Sequence, residues 1–126
     1  MLVAVQLFRH GFRGRLTVID TRERLGGGLA YSTSSDQHLI KVPAASISAL
    51  EDRPAHFLDW LCAQHWPDAD ANANAFTPRK LYGEYLSDLL QQTIRDCSPT
   101  CLDHIRAQAI DAHADASGAR LHLSDG

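Results

Sequence analysis

Two neighbouring stretches of the sequence carry residues that could do chemistry. Asp20 ends a short apolar and β-branched run, Arg15–Ile19, and so places a carboxylate at the tip of a predicted buried strand. A triple glycine follows at 26–28, where the backbone can approach a ligand closely and adopt positive φ. On their own, these residues leave two interpretations open. They are either a solvated strand end with a flexible turn, or parts of a ligand-binding edge.

The cysteines and histidines give weaker signals. Three cysteines occur, at Cys62, Cys97 and Cys101. None of them forms the C-x-x-C pair of redox and zinc sites, and the odd number without an export signal indicates free thiols, with a Cys97–Cys101 disulfide as the alternative. His104, His113 and His122 recur evenly, but no carboxylate or cysteine pair completes a metal-ligand set. His38 is a candidate acid/base group, with a surface histidine as the alternative.

Composition limits the class of protein. The chain has 126 residues, of which 44% are hydrophobic, and a net charge of -3 from 12 Lys and Arg against 15 Asp and Glu. These values describe one small domain or a piece of a larger one, with no basic excess for a nucleic-acid interface. No apolar run approaches the roughly 18 residues of a membrane span, and no secretory signal is present. We therefore expect a cytoplasmic protein.

The first half of the chain predicts a helix, a strand and a long connection. Residues Leu2–Phe12 have apolar positions at helical spacing and predict a helix. Glycines at 11 and 14 mark its C-terminal end. Arg15–Asp20 predicts a buried strand, so helix, turn and strand form half of a βαβ unit. Thr21–Leu50 is rich in Gly, Ser and Ala and predicts a loop-rich connection.

The second half predicts two helices and a hairpin. A helix follows Pro54 and runs to Cys62, with Asp52 as its expected cap. The segment 67–75 predicts an exposed loop. Thr77, with a hydroxyl available for the N-cap, and Pro78, at the first helical position, then predict the start of the longest helix. That helix carries an apolar stripe of Leu81, Tyr85, Leu86, Leu89, Leu90 and Ile94. Residues 105–109 and 120–123 predict two short strands around a turn at 117–118.

Four segments, in order, carry a family resemblance. They are Leu25–Thr33 (L-G-G-G-L-A-Y-S-T), His38–Ala44 (H-L-I-K-V-P-A), His56–Leu61 (H-F-L-D-W-L) and Phe76–Leu86 (F-T-P-R-K-L-Y-G-E-Y-L). They resemble the L-G-x-G-x-A-Y-S-T, H-L-L-N-V-P-A, H-F-L-x-W-L and F-x-P-R-x-L-Y-G-x-Y-L motifs of a bacterial family of FAD/NAD(P)-binding, flavin-dependent oxidoreductases. Together with the strand end at 18–20, the match covers most of residues 16–90.

The resemblance implies a cofactor site. An acid at the tip of the second strand of such a domain accepts hydrogen bonds from the adenosine ribose, and Asp20 occupies that place. Arg22 would lie along the adenine or pair with phosphate. The loop through Gly27, Gly28, Tyr31 and Ser32 would pack over the cofactor, which is FAD, with NAD(P) as a second dinucleotide.

The resemblance also implies what this chain does not contain. The family's G-x-G-x-x-G lies on the turn before the first helix, and this sequence starts after that point. The first strand would therefore be absent beside Arg15–Asp20, and the sequence also stops before the rest of the FAD domain. Lys41 replaces the usual Asn of the N-V-P-A element.

The expected fold is α/β: a partial Rossmann-like FAD-binding domain, without its first strand and glycine-rich loop and with a C-terminal β-hairpin. Residues 1–126 would be one fragment of a single FAD/NAD(P)-binding domain, from an oxidoreductase in which flavin carries the redox chemistry. Activity would be impaired in the fragment. The alternative is a non-catalytic remnant or interaction module that self-associates through the exposed strand edge beside Arg15–Asp20.

Overall fold

The computed structural model describes residues 1–64, 73–97 and 102–124. Its elements are α1 (Leu2–Arg9), β1 (Leu16–Ile19), α2 (Gly28–Tyr31), α3 (His56–Ala63), α4 (Arg79–Cys97), β2 (Leu102–Ile105), β3 (Ala109–Asp115) and β4 (Gly118–Leu123), with a short 3-10 turn at Ala44–Ser46. The mixture of helices and small sheets is consistent with part of an α/β cofactor-binding domain. Most of the predicted loop at 67–75, and Cys101 of the disulfide alternative, lie outside the described residues.

Helix α1 ends in a glycine-dependent cap, as the sequence predicts. Gly11 has φ of +88°, its N–H donates to the Phe8 carbonyl at 3.1 Å, and the Phe12 N–H donates to the Leu7 carbonyl at 2.9 Å. This pair of bonds is a Schellman motif, which satisfies carbonyls at the helix end. The Phe12 ring returns to pack on Phe8, with centroids 5.9 Å apart. The cap therefore turns the chain from α1 towards β1.

The predicted strand forms as β1, with β2 as its partner, but the expectation that it is buried was wrong because none of its residues is fully buried. The two strands are parallel, with Leu16 opposite Leu102 and Ile19 opposite Ile105, and the Asp20 N–H extends the pairing to the Ile105 carbonyl at 3.1 Å. Because the strands are parallel, their carboxyl ends meet at one edge. Within the described residues β1 has this one neighbour, so its other edge is open.

The predicted C-terminal hairpin is confirmed for β3 and β4, but its first strand begins later than expected. Ile105 ends β2, and a turn closed by the Ala107 N–H and the Ile105 carbonyl, at 3.0 Å, separates it from Ala109. Burial of Ala107 anchors this turn. The prediction of one strand over 105–109 was therefore wrong, because alternating residues gave no sign of the turn. The hairpin itself is almost wholly exposed.

Four rings join α3 to α4 in the core. We name Phe57, Trp60, Tyr82 and Tyr85 the aromatic cluster. Phe57 meets Tyr82 edge to face with centroids 5.0 Å apart, and Phe57 and Tyr85 are fully buried. Helix α1 packs on α4 beside the cluster through buried Ala4 and Val5. Tilted and edge-to-face pairs of this kind add to the stabilisation from area burial.

Both predicted helix caps were wrong. Asp52 does not cap α3, which begins at His56; its carboxylate accepts a 2.7 Å hydrogen bond from Arg9 of α1 instead. The Thr77 hydroxyl is buried and has no hydrogen-bond partner in the described part of the chain. The Thr77 carbonyl accepts from the Ile40 N–H at 2.9 Å, so residue 77 belongs to an extended contact that precedes α4. No helix in the described ranges is both long and apolar enough to cross a membrane.

Replacement of Gly11 tests the α1 cap. Nothing lies within 4 Å of a Cβ built on Gly11, so the cost of Gly11→Ala comes from its positive φ alone. We expect the free energy of unfolding to fall by about 1 kcal/mol. Gly11→Asn is the control and should lose less, because asparagine tolerates this conformation better. Urea denaturation measures both, and equal losses for Ala and Asn would contradict the argument.

Candidate functional site

A cleft of about 330 Å³ lies between the segment that follows β1 and the face of α4. It is lined by Arg22, Arg24, Leu25, Gly27, Gly28, Tyr31, Ser32, Thr33, Lys80, Gly83, Glu84, Ser87 and Asp88. Five of the six residues that the sequence nominates as cofactor-binding are in this lining. The sixth, Asp20, is joined to it through Arg22.

Asp20 and Arg22 form a closed ion pair at the end of β1. Asp20 Oδ1 accepts from both the backbone N–H and the Nε of Arg22, each at 2.9 Å, and Oδ2 accepts from the Arg22 Nη2. These hydrogen bonds hold the pKa of Asp20 well below its usual range and raise the pKa of Arg22. Asp20 is therefore a carboxylate throughout the physiological pH range.

His104 and Arg106 complete this edge of the sheet. The His104 Nε2 lies 3.3 Å from the Asp20 carbonyl, and the Arg106 Nε donates to the Thr21 carbonyl at 3.2 Å. Both residues come from β2 or directly after it, since parallel strands end at the same edge. They hold the backbone that carries Asp20, although neither was among the predicted site residues.

Two glycines let the loop lie against α4. A Cβ on Gly83 would stand 2.6 Å from the Tyr31 carbonyl oxygen, and one on Gly26 would stand 2.8 Å from the Ser87 Cα. The Ser87 hydroxyl donates to the Leu25 carbonyl at 2.9 Å and fixes the same contact. Contacts this close leave no room for a side chain. The floor of the cleft therefore depends on glycine in both the loop and the helix.

The loop residues Tyr31 and Ser32 have different environments. The Tyr31 ring packs on Tyr82 with centroids 5.0 Å apart and so attaches the loop to the aromatic cluster. The Ser32 hydroxyl donates to the Leu29 carbonyl at 3.1 Å and closes the short helix α2. Gly28 begins α2 with φ of +59°, and the Leu29 side chain is 91% exposed. Tyr31 is thus a structural anchor as well as a wall of the cleft.

Positive and negative side chains share the cleft. Arg22, Arg24 and Lys80 supply cations, and the Lys80 Nζ is paired with Asp36 at 2.6 Å. Glu84 and Asp88 of α4 supply carboxylates. The contribution of α4 was missed from sequence, although glycine inside the Phe76–Leu86 motif was its available signal, because a glycine within a helix usually has a packing reason.

His38 is not in this lining but contacts Thr33, which is, and the spaced histidines are not in the lining either. The His38 Nδ1 is 2.7 Å from the Thr33 hydroxyl, and the His38 carbonyl accepts from the Arg79 N–H at 2.7 Å. His104 is in one sheet, whereas His113 and His122 are in the hairpin. Over 1–64, 73–97 and 102–124, the His, Cys, Asp and Glu side chains form no group of three or more that could hold a metal ion.

A strand-end acid, a glycine loop laid on a helix and a partly basic cleft beside parallel strands are the features of a cofactor-binding α/β protein. The sequence model of the FAD-NAD(P)-binding family matches residues 1–126. The chain belongs to this family, which supports a flavin or nicotinamide dinucleotide as its cofactor. A search of curated protein sequences found no match.

Replacement of Gly83 tests the packing of the loop on α4. Gly83→Ala removes a helix-disfavouring glycine, but the new methyl group would collide with the Tyr31 carbonyl. We expect the collision to dominate and the free energy of unfolding to fall by about 1–3 kcal/mol. Gln91→Ala, at an exposed position on α4, is the control and should stay within about 0.5 kcal/mol. A stabilised Gly83→Ala protein in urea denaturation would contradict this account of the cleft.

Proposed function

We propose that this chain binds FAD in the cleft between the post-β1 loop and α4, as part of a flavin-linked oxidoreductase. The observation that carries the proposal is the convergence of Arg22, Gly27, Gly28, Tyr31 and Ser32 on one cleft, with Asp20 held at its edge. When bound, the flavin supplies hydride-transfer chemistry. The side chains of the chain bind and orient it.

Asp20 is the proposed acceptor for the ribose hydroxyls. An ionised carboxylate offers about four lone-pair positions, and Arg22 uses three of them, two on Oδ1 and one on Oδ2. One position therefore remains on Oδ2 for a ribose hydroxyl while the ion pair stays intact. Arg22 in turn keeps Asp20 anionic and extends its guanidinium along the cleft, where adenine or phosphate would lie.

The remaining cations are proposed to face the phosphates. Arg24 and Lys80 line the cleft from opposite sides, one on the loop and one on α4. The volume of 330 Å³ is near the lower end of the range of about 300–1,000 Å³ for ligand pockets, so the cleft suits one half of a dinucleotide. These 126 residues contain no G-x-G-x-x-G, and we therefore propose that FAD binds weakly to this chain.

Flavin fluorescence during FAD titration tests the role of Asp20. We expect saturable quenching, and Asp20→Ala should weaken FAD binding about tenfold because one charge-assisted hydrogen bond is lost. Asp103→Ala is the matched control: Asp103 lies in β2 and forms a similar ion pair with Arg15, at 2.6 Å, outside the cleft. An unchanged affinity in Asp20→Ala, or an equal loss in Asp103→Ala, would contradict the assignment. Absence of saturable quenching in the parent chain would overturn the proposed function.

A second candidate function, a self-associating interaction module, is favoured by the open edge of β1 in the described residues and by apolar exposure on α1. Val3 and Leu7 lie one turn apart on α1 and are 72% and 37% exposed. An open strand edge readily pairs with a second copy, and exposed apolar side chains add contact area to such an interface.

The mass of the chain as a function of concentration tests this candidate. Sedimentation equilibrium should show a dimer that forms as concentration rises, and Val3→Ser should weaken it because apolar contact area is lost. Val42→Ser, at a position that is 41% exposed in a loop, is the control and should leave association unchanged. A monomer at every concentration would exclude this function.

A further inference from the structure

A second and larger cavity lies on another face of α4. Its volume is about 810 Å³, and it is bordered by the C-terminal end of α1, the start of α3 and the C-terminal half of α4. Arginines 9, 13, 53 and 95 are in its lining, and we name it the arginine cavity. It shares one residue, Asp88, with the cofactor cleft. Its volume falls within the range of ligand pockets.

The lining of the arginine cavity contains more arginines than carboxylates. In the described residues, its four arginines face two carboxylates, those of Asp88 and Asp96, whereas the chain has a net charge of -3. Both carboxylates already accept hydrogen bonds: Asp88 from the Trp60 Nε1 at 3.0 Å, and Asp96 from the Gln92 Nε2 at 2.7 Å. Outside the lining, Asp52 pairs with Arg9 at 2.7 Å and Asp59 lies 3.9 Å from Arg53, so within the described residues Arg13 and Arg95 are the cavity arginines without a carboxylate partner.

Two of the arginines have weak local partners. The Arg13 Nη1 donates to the adjacent Phe12 carbonyl at 3.4 Å, a long hydrogen bond, and the Arg53 Nη2 lies 3.9 Å from Asp59. Ion pairs at such exposed positions contribute little and exchange easily. Both guanidinium groups can therefore turn to an incoming oxyanion, for which their planar donor array is well suited.

The wall beneath the arginines is aromatic and apolar. His56 and Trp60 present partly exposed rings, and the side chains behind them are buried: Phe8, Leu50, Tyr85 and Leu89. His56 Nδ1 lies 2.9 Å from the Tyr85 hydroxyl, and burial, followed by the nearby Arg53, lowers the pKa of His56. A neutral histidine fits a surface that takes an apolar ring, and guanidinium groups above it fit an acidic head group.

We propose that the arginine cavity is a binding site for an aromatic oxyanion, a ring compound that carries a carboxylate or phosphate. The ring packs against Trp60 and His56, and the oxyanion is held by Arg13 and Arg53. The site is separate from the cofactor cleft. Its role does not depend on the proposed binding of FAD.

Nuclear magnetic resonance of the Trp60 indole N–H tests this site, with Trp66→Phe used to assign the signal. The probes are 1-naphthoate and 1-naphthyl phosphate, with neutral 1-naphthamide as the control compound. We expect saturable shifts from the two anions and none from the amide. The tighter of the two anions identifies the preferred head group. Equal binding of the amide, or no saturation by either anion up to about 10 mM, would overturn the proposal.

Arginine variants test the polar half of the site. Arg13→Gln and Arg53→Gln should each weaken binding of the anions at least about threefold, through loss of a charge-assisted bond. Arg120→Gln, on the exposed hairpin, changes the net charge equally and should have no effect. Unchanged binding in both cavity variants would overturn the proposal. So would an apparent Kd for FAD that rises in proportion to naphthoate, because the two ligands would then share one site.

Discussion

The aromatic cluster is the contact on which the rest of the structure depends. Phe57 of α3 lies against both Tyr82 and Tyr85 of α4, with centroids 5.0 and 5.1 Å away, and all three rings are buried. Tyr82 extends the contact to Tyr31 of the cleft loop, whereas Trp60 and Tyr85 form a wall of the arginine cavity. Burial raises the pKa of Tyr82 to about 12, so its hydroxyl stays neutral at physiological pH. One apolar interface thus positions both candidate sites.

Local patterns in the sequence predicted most of the regular elements. The apolar stripe of α4 and the β-branched run of β1 lie within single segments, and each is a strong signal of its period. The parallel partner of β1 was missed because Leu102–Ile105 is a short polar and apolar mixture, and its pairing joins distant parts of the chain. Likewise, Asp52 had a capping position in sequence, but Arg9 from another helix holds its carboxylate.

The candidate site, like the fold, could be predicted only in part from the sequence. Asp20 and the glycines can be nominated from residue type and position, and Tyr31 and Ser32 only from the family resemblance. The part played by α4 depends on how closely the loop approaches it. A Cβ on Gly83 would stand 2.6 Å from the Tyr31 carbonyl oxygen, for example. Such a distance depends on the folded structure and cannot be inferred from residue types and spacing. The arginine cavity collects side chains from three helices and the segments beside them, so spacing along the chain gave no sign of it.

Asp88 belongs to the walls of both the cleft beside α4 and the arginine cavity, and its carboxylate accepts a hydrogen bond from the indole N–H of Trp60. A ligand that moved this carboxylate on binding in one site would change the free energy of binding in the other site. Thermodynamic linkage makes the effect reciprocal, with the same coupling energy in either direction. The hydrogen bond from Trp60 to Asp88 thus joins α3 to α4 at the one lining residue that the two surfaces share in the described part of the chain.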